Sequence, residues 1–463
     1  MTRALIVLIA ALALAPAARA DVGAPGVGDP YFQNEGNGGF DVQHYDLNLS
    51  YTPRSNRLAG VARIQATATA GLTRFDLDLK GLAVRRVAVD GRNATFHRAG
   101  AELQITPPAP LAAGQAFDVS VRYRGVPRTI THSPIAFGEP YGFLHTPDGQ
   151  FVAAEPDGAY TWFPCSDHPS DKATYTFRVA VPKGLKVVAN GRLVSTRTRR
   201  GRTTFVWAED SPMATYLATI DTGRWKVRNG RTPGGIPETV YVDPRLARRS
   251  PRAVRFFFNT TARATDYEAT VFGPYPFGST GAIADDARFQ GIPLGFSLET
   301  QTKPVYSGVR DTLTIAHEVA HQWFGDSVSV ATWRDIWLNE GFASFAEYLW
   351  LEHTGKRRAH KSFLLDYRLP AKFSFWKMKI ADPRRNRMFY PAVYSRGAMT
   401  LQALREKIGD AKFFTLLRTW TATYRHANAS TPQFIALAKQ VSGEDLDAFF
   451  TTWLYTARKP KTW

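Results

Sequence analysis

The pentapeptide His317-Glu318-Val319-Ala320-His321 constrains this 463-residue chain more than any other feature. It lies in a stretch of helical character, residues 313–324. Residues four apart on a helix share a face, so both imidazoles project toward one point, as two zinc ligands require. Glu318, one residue past the first histidine, is placed to reach a water beside the ion without ligating it. A helix that merely carries two structural histidines is the competing reading of the pentapeptide alone. A catalytic zinc takes three protein ligands and keeps one position open, so a third ligand must exist. The segment Trp337-Leu338-Asn339-Glu340-Gly341-Phe342-Ala343 opens the next helical stretch. A second helix packed on the first can aim the Glu340 carboxylate at the metal. The expected set is His317, His321 and Glu340 around one Zn2+ per chain, with Glu318 as general base.

The chain can support such a site. Its length suits two or three domains, and 44% hydrophobic with 21% charged residues is a globular composition. Residues 1–20 place Arg3 before an apolar run, 4–15, and end on the small-residue site Ala18-Arg19-Ala20. That is the layout of a cleaved secretory leader, and the run is too short to cross a hydrocarbon core of about 30 Å. No later stretch is a spanning candidate. The mature protein is therefore expected outside the cytoplasm, whether extracellular, periplasmic or attached to the envelope. The net charge is +18, but the basic residues are scattered, with short clusters only at 197–202 and 384–387. No nucleic-acid motif accompanies them, so the charge reads as a solubilising surface and no nucleic-acid partner is expected. The single cysteine, Cys165, excludes an intramolecular disulfide and a thiolate metal cluster, and reads as a buried structural thiol.

Periodicity divides the chain. Apolar and polar residues alternate at 44–51, 75–79, 117–121 and 174–181, the mark of half-buried strands. From about residue 251 the period becomes helical, at 254–269, 309–324, 340–353, 395–408, 411–424, 431–441 and 446–455, with some strand around 283–302. The fold class is α+β and multidomain: after the leader, a β-rich domain over 21–228 and a mainly helical zinc domain over 229–463.

The run from His317 to Asp326, followed by Trp337 to Ala343, resembles the signature of the aminopeptidase N family of gluzincins. The resemblance implies a β-rich saddle domain followed by a thermolysin-like catalytic domain. It also implies removal of one residue at a time from peptides with a free N-terminus. Val393-Tyr394-Ser395-Arg396-Gly397-Ala398 is similar to the family's Val-Tyr-x-Lys-Gly-Ala, whose tyrosine bonds the tetrahedral intermediate, and this assigns Tyr394 as the oxyanion donor ahead of the nearby Tyr390. Glu155-Pro156-Asp157-Gly158-Ala159 resembles the first-domain segment with an amine-binding Glu or Gln, which points to Glu155. Phe296-Ser297-Leu298-Glu299-Thr300 stands where the family has Gly-Ala-Met-Glu-Asn. Only the glutamate is kept, and it implies that Glu299 is the second amine anchor. Phe296, Leu298 and Glu155 are expected to shape the pocket for the first residue. Larger members carry a further β module and a helical C-terminal domain; the present sequence stops at Trp463, which implies a short form with a more open site. Two readings compete. A thermolysin-like endopeptidase uses the same ligands and lacks only the amine anchors, and a binding protein can keep a silent peptidase shell.

Overall fold

The structure is a computed structural model that describes residues 21–135 and 138–461; the expected leader, residues 1–20, lies outside the described residues. The alternating stretches pair because alternation gives each strand one apolar face to bury. The largest sheet has eight strands in the order Arg192–Arg199, Arg202–Met213, Ala173–Pro182, Phe40–Thr52, Arg57–Ala68, Ala116–Gly125, Ala83–Val89 and Arg92–Asn93. Phe40–Thr52 and Ala173–Pro182 run parallel, with Tyr45 opposite Tyr175 and their rings stacked at 5.0 Å. Tyr45, Leu47, Leu49 and Tyr51 point into the core, while Asp41, Asn48 and Ser50 face solvent. A five-stranded sheet packs in the same half, in the order Thr129–Ile130, Tyr141–His145, Gln150–Ala153, Ile220–Gly223 and Lys186–Ala189. Its strand Gln150–Ala153 delivers Glu155. Cys165 is wholly buried in this half, and burial pushes its thiol well above the usual range.

The chain then builds a second layer. A sheet in the order Lys226–Arg231, Pro237–Val242, Thr280–Asp285, Val305–Ser307 and Ser297–Leu298 is followed by helices. The expected stretch 254–269 is the helix Ala253–Phe272, and 340–353 begins three residues earlier, as Trp337–His353. The stretch 309–324 is shorter than its pattern, Thr312–Ala320. Asp311 sets its start, since its Oδ1 accepts from the backbone N–H of Leu313 and Thr314 at 2.9 and 2.8 Å. At the other end the turns tighten to i→i−3 bonds, Gln322 to Val319 and Trp323 to Ala320, so His321 caps the helix while keeping right-handed helical dihedrals. The last stretch, 446–455, splits into a short helix, Asp447–Phe450, and a wide π-type turn, Thr451–Tyr455. Two helices, Pro244–Arg249 and Ala359–Tyr367, carry no apolar stripe that announces them. Among the described residues no helix is long and apolar enough to cross a membrane.

Two contacts fix the region around the motif. Lys172 of the first half donates through Nζ to the carbonyls of Asp326 and Ser327 at 2.7 and 2.9 Å. Asp29 Oδ2 accepts the Trp333 N–H at 2.8 Å and lies 3.1 Å from His168 Nε2. A third device sits beneath Tyr394. The guanidinium of Arg396 is wholly buried and donates to the carbonyls of Met378, Thr452 and Thr456 at 2.9, 3.0 and 2.7 Å, and more weakly to Trp376 at 3.4 Å. Burial lowers its pKa to about 10, so it stays charged at neutral pH. Arg396→Met strands these acceptors without partners and is expected to cost about 3–5 kcal/mol. Urea unfolding should show a lower midpoint at unchanged slope.

Candidate metal centre and active site

The helix Thr312–Ala320 and the helix Trp337–His353 lie side by side and place three donors together. Glu340 Oε2 stands 3.4 Å from His317 Nε2 and 3.5 Å from His321 Nε2. These three residues offer ligand atoms within 4.8 Å of one another. Ligands at roughly 2.0–2.1 Å from a tetrahedral zinc ion lie roughly 3.3–3.4 Å apart, so the observed spacing suits that ion. The orientation suits it as well. Each imidazole uses its other nitrogen elsewhere: His317 Nδ1 is 2.8 Å from Glu347 Oε1, and His321 Nδ1 is 2.9 Å from the Phe324 carbonyl. Those partners fix the rings and turn both Nε2 atoms inward. Glu340 Oε2 is buried and makes no hydrogen bond, an orphan that a cation would satisfy. Burial alone would raise the Glu340 carboxyl, but the two imidazoles outweigh it and hold it at about 2. The donor set of two imidazole nitrogens and one carboxylate is the one that suits a hydrolytic zinc.

The remaining residues surround these donors. Glu318 is buried, and its carboxylate groups with Glu299 and His321 inside the same 4.8 Å limit. Burial pushes Glu318 up to about 7 against the pull of both imidazoles. Glu299 is buried too, raised by burial, with Tyr216 Oη donating to it at 3.4 Å. Glu155 is half-buried, and its Oε1 is out of solvent contact without a partner. Burial raises its carboxyl well above the usual range, and the nearby charges of Glu299, Glu340 and Glu318 add to the effect. Tyr394 faces the first histidine, its ring centroid 6.1 Å from that of His317 and nearly parallel. Burial keeps its phenol protonated, hence a donor. Tyr390 is exposed instead. All seven residues singled out in the sequence therefore meet in one cleft.

Two glycines permit the meeting. A Cβ on Gly341 would lie 2.8 Å from Gly397 Cα, and one on Gly397 would lie 2.5 Å from Gly341 Cα. The backbones of the glutamate helix and of the helix Gly397–Ile408 touch at this point, which draws the Tyr394 turn toward Glu340.

Two residues acquire roles only in three dimensions. Glu347 lies seven residues after Glu340 on one helix, two turns away on the same face, and that period is the signal that could have found it. Gln322 follows the second histidine; its Nε2 donates to the Glu299 carbonyl at 3.0 Å and its Oε1 accepts the Thr302 N–H at 2.7 Å. It thereby ties the Glu299 segment to the histidine helix. Beside these groups opens a cavity of about 250 Å³ whose walls include Phe296, Leu298 and Glu155.

Comparison with known proteins agrees with this architecture. The Peptidase M1 N-terminal domain matches residues 41–217, and the Peptidase family M1 domain matches residues 298–453. The chain is 29% identical over 323 residues to aminopeptidase M1-B of Oryza sativa subsp. japonica, covering 66% of this chain and 36% of that protein. It is 30% identical over 322 residues to the glutamyl aminopeptidase of Bos taurus, covering 65% and 33%. The chain thus spans about a third of the length of these two curated relatives. A crystal structure of an M1 zinc metallopeptidase from Deinococcus radiodurans superimposes with a TM-score of 0.86 at 29% identity, covering 94% of this chain and 98% of that one. A mutant of that enzyme, at a TM-score of 0.83, is bound to a Tyr-Ser-Ala substrate. Both domain matches, in this order along a shared fold, lead to one conclusion: the chain belongs to peptidase family M1, the aminopeptidase N family of zinc metallopeptidases.

Proposed function

We propose that the protein is a zinc-dependent aminopeptidase that hydrolyses the first peptide bond of peptides with a free N-terminus. The observation that carries this reading is the trio of buried or half-buried carboxylates, Glu155, Glu299 and Glu318, beside the His317, His321 and Glu340 donor set. In this reading His317, His321 and Glu340 hold the zinc. Bound zinc supplies Lewis acidity, which makes a water nucleophilic near neutral pH and polarises the scissile carbonyl.

The chain's own groups then have separate tasks. Glu318 takes a proton from the attacking water and returns it to the leaving amine. The Tyr394 phenol donates to the oxygen on which negative charge develops. Glu155 and Glu299 receive the substrate ammonium. Buried carboxylates that repel one another gain most from such a cation, which relieves both the repulsion and the desolvation. Because both anchors hold the terminal ammonium, they set how far into the site a chain can reach, and one residue leaves per cut. The relative bound to Tyr-Ser-Ala offers a precedent in a chain of the same extent. We also propose that the enzyme acts after export, on the strength of the leader-like residues 1–20.

Amino-acyl anilides assayed with and without a chelator test the reading, with N-acetylated peptides as the control. Hydrolysis that survives complete metal removal, or equal cleavage of acetylated and free peptides, would overturn it. Glu299→Ala should reduce kcat/KM for free-amine substrates by roughly 10²-fold, chiefly through KM, because it removes one partner of a desolvated charge pair. Its effect on N-blocked substrates should be small.

A further inference from the structure

We infer that Glu139 makes the first-residue pocket selective for a long side chain with a cationic tip, that is, for arginine or lysine at the peptide N-terminus. The inference rests on the aminopeptidase reading and adds the substrate class. The cavity of about 250 Å³ has the half-buried Glu155 and Tyr394 among its lining and apolar walls from Tyr141, Ala153, Phe296, Leu298 and Phe389. Glu139 lines the same cavity but is exposed, so the pocket runs from the amine anchor to a carboxylate in contact with water.

The walls are held by neighbouring groups. Tyr141 Oη donates to Asp157 Oδ1 at 2.5 Å, and this holds its ring. The Phe296 ring lies 6.3 Å from Phe151, and Arg310 donates to the Phe296 carbonyl at 3.0 Å. Glu139 Oε1 lies 3.5 Å from where a Cβ on Gly295 would stand, which places the carboxylate beside the residue before Phe296. No described residue forms a hydrogen bond or ion pair with Glu139.

An unpaired carboxylate at the wet end of an apolar slot matches one kind of side chain. The methylene stem of arginine or lysine lies along the aromatic walls while its charged head stays at the water-facing end. A neutral side chain gains the walls but not the charge. An acidic one brings its charge against the Glu139 carboxylate and is disfavoured. The arginine guanidinium can pair in bidentate fashion, so arginine should lead lysine.

The test uses anilides of arginine, lysine, methionine and glutamate on the wild type, Glu139→Gln and Glu139→Lys. The arginine-to-methionine ratio of kcat/KM should fall by about 3- to 10-fold in Glu139→Gln, carried by KM. In Glu139→Lys it should fall further, and the glutamate-to-methionine ratio should rise. A merely structural role for Glu139 would not raise glutamate cleavage. Wild-type hydrolysis with ratios unchanged in both variants overturns the assignment of Glu139 and leaves the aminopeptidase reading intact. Failure of the wild type to cleave any free-amine anilide overturns both.

Discussion

Glu318→Gln is expected to keep one zinc per chain and to lower kcat by on the order of 10³- to 10⁴-fold. The glutamine preserves the shape of the side chain but cannot accept a proton. Glu318 is not one of the three donors that face each other across 3.4 and 3.5 Å, so metal content should not respond. KM should change little, since the ammonium is assigned to Glu155 and Glu299. Zinc is read by atomic absorption after gel filtration, and kcat by a leucyl or arginyl anilide. A variant that loses its zinc would move Glu318 into the ligand set, and one with normal turnover would remove it from the chemistry.

Glu340→Ala should behave in the opposite way, losing the metal first and activity as a consequence. The carboxylate supplies the only negative charge in the donor set, and its Oε2 faces both imidazoles. The loss in zinc affinity should exceed the roughly 10- to 100-fold typical when a group that only hydrogen-bonds a ligand is removed. Glu347 offers the internal comparison, because it touches His317 Nδ1 at 2.8 Å and not the other donors. Glu347→Gln should fall within that 10- to 100-fold range and recover its activity when zinc is added in excess. Competition with a chelating dye gives both affinities. Equal affinities in the two variants would mean that Glu340 does not bind the ion.

The residues differ in how far their roles could be read from the chain. His317 and His321 are legible because four-residue spacing on a helix is a geometric statement in itself. The helix proved shorter than its apolar period, Thr312–Ala320, yet His321 kept helical dihedrals at the cap, and so the geometry held. Glu340 needed one additional step, that two helices in sequence pack side by side. Glu155, Glu299 and Tyr394 carry no period or spacing that marks them. They were reached only through resemblance to a family, and their convergence depends on contacts remote in sequence, such as Gln322 with Glu299 and Gly341 with Gly397. Glu139 has no sequence signal at all, since its meaning comes from a cavity assembled by the first-half segments 139–155 together with residues 296–298 and 389–394.

Local pattern along the chain is enough to read the alternation that makes the first half a sheet, the helical period of the second, and the three residues whose donor atoms converge. These follow from local rules, because the side-chain direction of a strand or helix repeats every two or 3.6 residues. How close the donors come, which nitrogen of each histidine faces inward, and which acids lie around them out of water emerge from the folded arrangement alone. Distance, desolvation and the pairing of distant carboxylates depend on how strands and helices remote along the chain pack together, and no local period encodes that packing.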